Sequence, residues 1–213
     1  MARAAAGVPR NVAALPQTPR QRIAPMMSQP PYLSGRLLLS MPGIGDPRFE
    51  RVVIAMCVHD DDGALGIVSN IPVGTLTVRD LMAQLDIDPG VTPADPLVMA
   101  GGPVEPSRGF VVHSPDWQGQ NSIAVGDRWT LTSTTDILRD IAAGKGPRRW
   151  LSALGYTGWS AGQLDGEMGR HGWQAAPGDA DIIFDVPLAE RWATAYGRIG
   201  IEVGRLSAVS GRA

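Results

Sequence analysis

The stretch Val52-Val53-Ile54-Ala55-Met56-Cys57-Val58-His59-Asp60-Asp61-Asp62-Gly63-Ala64-Leu65-Gly66-Ile67-Val68-Ser69 decides the fold class. Val52 to Val58 is a continuous apolar run, short and rich in β-branched side chains, which reads as a strand buried on both faces. The Asp62-Gly63 pair supplies the positive backbone angles of a tight turn, and Ala64 to Ser69 returns as the antiparallel partner. Consecutive side chains diverge on a turn, so Asp60, Asp61 and Asp62 read as a solvated hairpin tip rather than a cation site.

Outward from this hairpin, short apolar runs alternate irregularly with amphipathic ones. Arg36 to Ser40 is a strand, bounded on its far side by Pro42, Gly43, Gly45 and Pro47. Thr77 and Asp80 form a capping pair for a helix whose Val78, Leu81, Met82 and Leu85 share one face, and Pro89 and Pro93 prevent its continuation. Leu97 to Ala100, Phe110 to His113, Ser122 to Val125 and Trp129 to Thr132 read as strands. A second helix is expected from about Thr134 to Ala143, capped by Ser133 or Thr134, with Asp136 near its positive end and Gly144 past its C-terminus. Trp150 to Tyr156 lies between Pro147 and the pair Gly155 and Gly158, which favours strand over helix. Trp159 to Met168 is expected to start a helix, while Trp173 to Ala175 and Ile182 to Val186 read as strands. Leu188 to Ile199 is amphipathic, with Leu188, Trp192, Ala195, Tyr196 and Ile199 on one side. Such irregular order argues for an α+β fold with a mixed, mainly antiparallel sheet, and against a doubly wound parallel one.

The 213 residues include one cysteine, 44% hydrophobic residues and a formal charge of −2. A lone Cys57 excludes an intramolecular disulfide, and its apolar neighbours make it a small buried hydrophobe in a reducing, cytoplasmic setting. No apolar run approaches the roughly 18 residues of a membrane span. Residues 1–31 hold Pro9, Pro16, Pro19, Pro25, Pro30 and Pro31 with little periodicity, and read as a disordered tail. The tail is Arg-rich and acid-free like a transit peptide, but its prolines spoil the required amphipathic helix. Translation from Met26 or Met27 is the alternative reading of that segment. Residues 32–213 then form one domain, which at this size buries roughly 70% of its unfolded surface.

The small total charge conceals two segments. Arg3, Arg10, Arg20, Arg22 and Arg36 precede the first acid, Asp46, so the chain before it carries +5 and the remainder about −7. An acidic domain opposes a broad phosphate-binding face.

Nucleotide motifs fail on inspection. Lys145 follows Gly144 but precedes Gly146, which breaks the phosphate-loop pattern, and Arg48 and Arg149 occupy the third glycine positions of two dinucleotide-like runs. Gly-x-Ser-x-Gly does not occur. His59, His113 and His171 are more than 50 residues apart and lack partners at helical spacing, so neither metal nor cofactor is implied. His59 and His113 read as strand ends that bond locally. Lys145, Arg148 and Arg149 are the basic cluster of the domain. A helix-turn-helix would need Pro147 to open a second helix through Trp150 and Leu154.

Several motifs, in one order, resemble the AlgH/YqgE family of bacterial proteins. They include Met41-Pro42 with Asp46-Pro47-Arg48-Phe49, Gly63-Ala64-Leu65-Gly66-Ile67-Val68 with Asn70 and Pro72, Gly101-Gly102-Pro103-Val104, and Arg108-Gly109-Phe110-Val111-Val112-His113. The series continues with Leu131-Thr132-Ser133-Thr134-Thr135-Asp136-Ile137-Leu138, Gly144-Lys145-Gly146-Pro147, Leu154-Gly155-Tyr156-Thr157-Gly158-Trp159 and Gly162-Gln163-Leu164. The resemblance covers Leu33 to Ala213, with departures at Thr157, Gly166 and His171. It implies a single α+β domain whose strands curl into a split, barrel-like sheet with flanking helices, in a bacterial cytosolic protein. The family label of transcriptional regulator, tied to alginate production, carries no mechanism.

The glycine motifs read first as structural, at tight strand and helix exits, with Gly155 and Gly158 letting Trp159 approach the backbone. The functional expectation is that Arg108, His113, Gln163 and Glu167 converge on a pocket beside Trp159. Gln163 and Glu167 are four apart on one helix face, and Arg108 would bind an anion bidentately. Three functions follow: a non-enzymatic regulatory or interaction protein with a protein or small-molecule partner; a DNA-binding regulator using Lys145, Arg148 and Arg149; and an enzyme with a cleft near Arg108 and His113.

Overall fold

Strand β1 (Leu37–Ser40) points Leu37 and Leu39 into one apolar cluster and Leu38 into another, the period-two alternation of extended chain with both faces covered. Strand β2 (Val53–Asp60) does the same, with Val53, Ala55 and Cys57 on one side and Val52, just before it, Ile54 and Met56 on the other. The continuous apolar run is therefore a strand sandwiched between two cores. In this computed structural model, residues 32–170 and 172–205 are described; the expectations for residues 1–31 and for the translation start lie outside them.

The hairpin forms as expected, Asp60 pairing with Gly63 of β3 (Gly63–Val68) across a two-residue loop. Asp62 N–H donates to Asp60 Oδ1 at 2.9 Å, an Asx-type closure. Gly63 serves a different purpose from the one expected. Its φ is +143°, and a Cβ there would lie 2.3 Å from the Trp159 carbonyl oxygen, so glycine lets the next strand approach.

Strand β4 (Pro72–Thr77) runs into α1 (Val78–Gln84), where Thr77 and Asp80 make the reciprocal capping box. The chain continues through β5 (Leu97–Ala100), β6 (Val104–His113), β7 (Ser122–Val125), β8 (Trp129–Thr132), α2 (Asp136–Ala142), β9 (Trp150–Ser160), α3 (Gln163–Gly169), β10 (Trp173–Ala176), α4 (Ala180–Phe184) and α5 (Arg191–Arg198). The sheet order is β10-β1-β2-β3-β9-β6-β8-β7, all antiparallel, and β4 pairs with β5. The mixed element is β5, which lies parallel to β9 through Met99↔Ala153 and Ala100↔Leu154.

This makes the sheet split at β9. One edge of that strand pairs with β5 near Ala153, then with β3 from Thr157 to Ser160, while its other edge pairs with β6. At the split the loop after β5 crosses β9 backbone to backbone. A Cβ on Gly102 would lie 2.2 Å from the Tyr156 carbonyl carbon, and one on Gly155 would lie 2.4 Å from the Gly102 carbonyl oxygen. Gly155 thus accommodates this crossing, rather than Trp159. The result, among the described residues, is a mainly antiparallel sheet curled into a half-barrel with five α-helices, an α+β fold.

The concave core holds Leu37, Val53, Ile67, Phe110, Trp129 and Leu131, closed by Ile182 and Ile183 of α4 and Trp192 and Tyr196 of α5. Each such residue, fully buried, stabilises the fold by roughly 1.5–3 kcal/mol. Helices α1 and α2 cover the outer face around Val98 and Val111, and α3 covers Leu38, Ile54 and Trp159.

Three local expectations need correction. Ile182 to Val186 is not a strand: Ala180–Phe184 is helical, because one turn after Asp179 buries both Ile182 and Ile183 in the cluster that holds Trp192 and Tyr196. Trp159 belongs to β9, and the helix begins only at Gln163, after Gly162 turns the chain with φ +69°. The N-cap of α2 is Thr135 without a side-chain bond; Thr134 instead bonds the Asp136 carboxylate.

Candidate functional site

Beyond Gly162, Gln163 and Glu167 lie one helical turn apart on α3, and Gln163 Nε2 donates to Glu167 Oε1 at 2.9 Å. Gln163 is itself oriented by the end of β9, whose Ser160 donates from both N–H and Oγ to Gln163 Oε1 at 3.1 Å. Strands on either side of α3 each contribute an indole. Trp159 of β9 and Trp173 of β10 donate to Glu167 Oε2 at 3.0 and 2.8 Å. Their ring planes cross at 83°, and Phe49 stands edge-on to Trp173 at a centroid separation of 5.5 Å. Together with Ile44, Pro103, Asp46 and Arg170, these groups line a cleft of about 410 Å³.

Burial alone would raise the Glu167 pKa, but the donors from Trp173, Gln163 and Trp159, with the more remote charge of Arg170, outweigh it. The carboxyl is held below its ordinary value and is ionised at neutral pH.

Of the expected constellation, the structure brings Trp159, Gln163 and Glu167 together and places Arg108 and His113 elsewhere. The reason for His113 is strand register: it pairs with Trp150, and Trp159 lies nine residues further along β9, roughly 30 Å of extended chain. His113 is wholly buried, with Nδ1 2.9 Å from the Ser114 carbonyl oxygen and Nε2 2.9 Å from Thr132 Oγ1. Arg108 is exposed, paired with Glu105 at 3.2 Å and lying over the Phe110 ring at 5.1 Å. It does not line the cleft, so the expected bidentate anion contact has no place there.

Sequence reasoning missed Trp173, Phe49, Asp46 and Arg170. Trp173 had a usable signal. An acid flanked by tryptophans eight residues before and six after, with glycine-marked turns between, is the pattern of two strand indoles meeting one helix carboxylate.

Comparisons with known proteins place this arrangement in a family. A family model described as AlgH-like matches residues 37–204. The chain belongs to the AlgH-like family. A UPF0301 protein of Rhizorhabdus wittichii is 56% identical over 187 residues, 88% of this chain and 100% of that protein. A UPF0301 protein of Sphingopyxis alaskensis is 52% identical over 188 residues, again 88% and 100%. The solution structure of the AlgH protein from Pseudomonas aeruginosa aligns with TM-score 0.71 at 37% identity, covering 87% of this chain and 98% of that one. A crystal structure from Corynebacterium diphtheriae, at 19% identity and TM-score 0.62 over 80% and 88% of the two chains, shares the fold.

Within this AlgH-like fold, the basic cluster does not form a helix-turn-helix. Residues 150–160 are the branching strand β9, so the element directly after α2 and Pro147 is a strand and not a second helix. Arg149 is bound by Asp181 at 2.9 Å and Asp185 at 3.0 Å, and Arg148 lies 3.6 Å from Asp116. Lys145 is exposed. The remaining reactive side-chain types are occupied structurally. His59 is buried and accepts the Leu33 N–H at Nδ1 at 3.0 Å, and burial pushes the Cys57 thiol up to about 12. Among the described residues no His, Cys, Asp or Glu cluster is arranged to hold a metal, and no helix is long and apolar enough to cross a membrane.

Proposed function

We infer that this AlgH-like protein is a non-enzymatic regulatory or interaction protein of the bacterial cytoplasm, with a domain spanning residues 32–213, whose recognition site is the Trp159–Glu167–Trp173 cleft. The observation that carries this reading is the fixed carboxylate. Glu167 is ionised and held by three neutral donors, while His59, His113 and Cys57, side chains of the kind that general acid–base or nucleophilic chemistry would call on, are sealed in the sheet. A held charge among rigid rings supports binding and orientation of a partner, protein or small molecule, more than proton transfer to it.

Incubation of the full chain with a small-molecule and protein extract of the native host tests this. A partner should be retained by the wild type and reduced by about tenfold or more in Glu167→Gln, with equal retention by Arg108→Ala, and the extract composition should not change with time. Time-dependent consumption of any compound, or equal retention by all three proteins, would overturn the reading.

A further inference from the structure

Glu167 differs in how its charge is balanced from the acids of the domain that pair with arginine. Asp46, Asp116, Asp181 and Asp185 each have an arginine within 3.6 Å. Glu167 has three hydrogen bonds but, among the described residues, no basic side chain within the 4.0 Å of an ion pair. An ionised carboxylate offers about four acceptor positions. Both indoles converge on Oε2, whereas Oε1 accepts, among the described residues, only from Gln163 and so keeps a free acceptor position on a residue that lines the cleft.

The rings around it have a consistent polarity. An indole presents a positive edge and a negative face. Trp159 and Trp173 turn their N–H edges to the same oxygen and meet edge to face with planes crossing at 83°, Phe49 stands edge-on to Trp173 with the Arg48 guanidinium 5.8 Å from its ring centroid, and all three aromatic residues line the cleft. A carboxylate without a cationic partner and aromatic rings lining one cleft suit a cation carried on carbon, through an ion pair and contact with the rings together.

We propose that this cleft binds an alkylammonium group, with its charge at Glu167 Oε1 and its carbon substituents against Phe49, Trp159 and Trp173. This rests on the reading of the cleft as the recognition site. The group can come from a free small amine or from a lysine side chain presented by a protein partner, and the two sources share this chemistry. Arg170, also on the cleft lining, carries the same sign as the ligand and opposes it, so its removal strengthens binding.

The test is an NMR titration of the ¹⁵N-labelled full chain, following the indole N–H signals of Trp159 and Trp173. Four probes are compared: choline, its neutral isostere 3,3-dimethylbutanol, the anion 3,3-dimethylbutanoate, and N-acetyl-lysine methylamide. Choline or the lysine derivative should shift both signals saturably at about tenfold lower concentration than the neutral isostere. Stronger binding of choline identifies a free quaternary amine as the source, and stronger binding of the lysine derivative a protein side chain. Arg170→Gln should tighten the cation about two- to fivefold, and Glu167→Gln should weaken it about tenfold. The wild-type probe series decides the matter even if Glu167→Gln is poorly folded. Equal binding of choline and its isostere, or a shift with the anion alone, would overturn the cation assignment while leaving the cleft as a recognition site. No shift with any probe would remove both.

Discussion

At the Trp150 end of β9, His113 sits between β-strands with both ring nitrogens bonded and Trp117 edge-on at 5.4 Å. Near the Ser160 end, Glu167 sits among Trp159, Trp173 and Phe49 with one acceptor position open to a cleft. Both are polar groups among aromatic rings, and one strand supports both. The difference is closure. In the sealed end burial favours the neutral imidazole, so polarity serves cohesion; at the open end neutral donors keep a carboxylate charged beside a cleft.

The largest effect should come from breaking the crossing that separates the two ends. Gly155→Ala places a Cβ against the Gly102 carbonyl oxygen at a residue with φ +73°, and should cost more than about 4 kcal/mol, read as loss of a cooperative thermal transition. Next, His113→Leu removes the imidazole partner of the buried Ser114 carbonyl, while Thr132 Oγ1 keeps only its bond with Ser122, and should cost about 2–4 kcal/mol in denaturant unfolding.

Glu167→Gln should be milder, about 1 kcal/mol, because the amide oxygen still accepts from an indole at a site that water reaches. Acid sharpens the contrast. Burial, opposed by the Ser114 carbonyl and Asp116, lowers the His113 pKa from 6.5, so its contribution is complete above 6.5 and declines as pH falls through that value towards the folded one. Glu167 lies below 4.5, so its share is intact above 4.5 and is lost on further acidification towards its own folded value. Stability measured against pH should therefore fall in two windows, with His113→Leu flattening the upper and Glu167→Gln the lower. The smallest effect belongs to Arg108→Ala. Its half-exposed pair with Glu105 is screened by water, and stability should change by less than about 0.5 kcal/mol.

Sequence patterns served well wherever structure is local. The β2–β3 hairpin, the Thr77–Asp80 capping box and the Trp192–Tyr196 face of α5 each depend on spacings within one turn or one strand pair. Local reasoning failed at Ile182 and Ile183, where two buried isoleucines suit a strand or one helical turn equally, and packing against α5 selects the turn. In the site, Gln163 and Glu167 were legible as an i,i+4 pair. Arg108 and His113 were misplaced because each looked conspicuous within its own motif, while their distance from Trp159 depends on the β6–β9 register.

From sequence alone, then, came the α+β class, the buried character of β1 and β2, the acidic balance of the domain and, through ordered motifs, the family. These follow from periodicity, composition and residue order, which the chain carries without folding. Tertiary structure decided that β9 divides the sheet, that Gly102 and Gly155 cross there, and that Trp173 joins Trp159 on one oxygen of Glu167. Those outcomes depend on which strands become neighbours, a choice set by the packing of residues far apart in the chain.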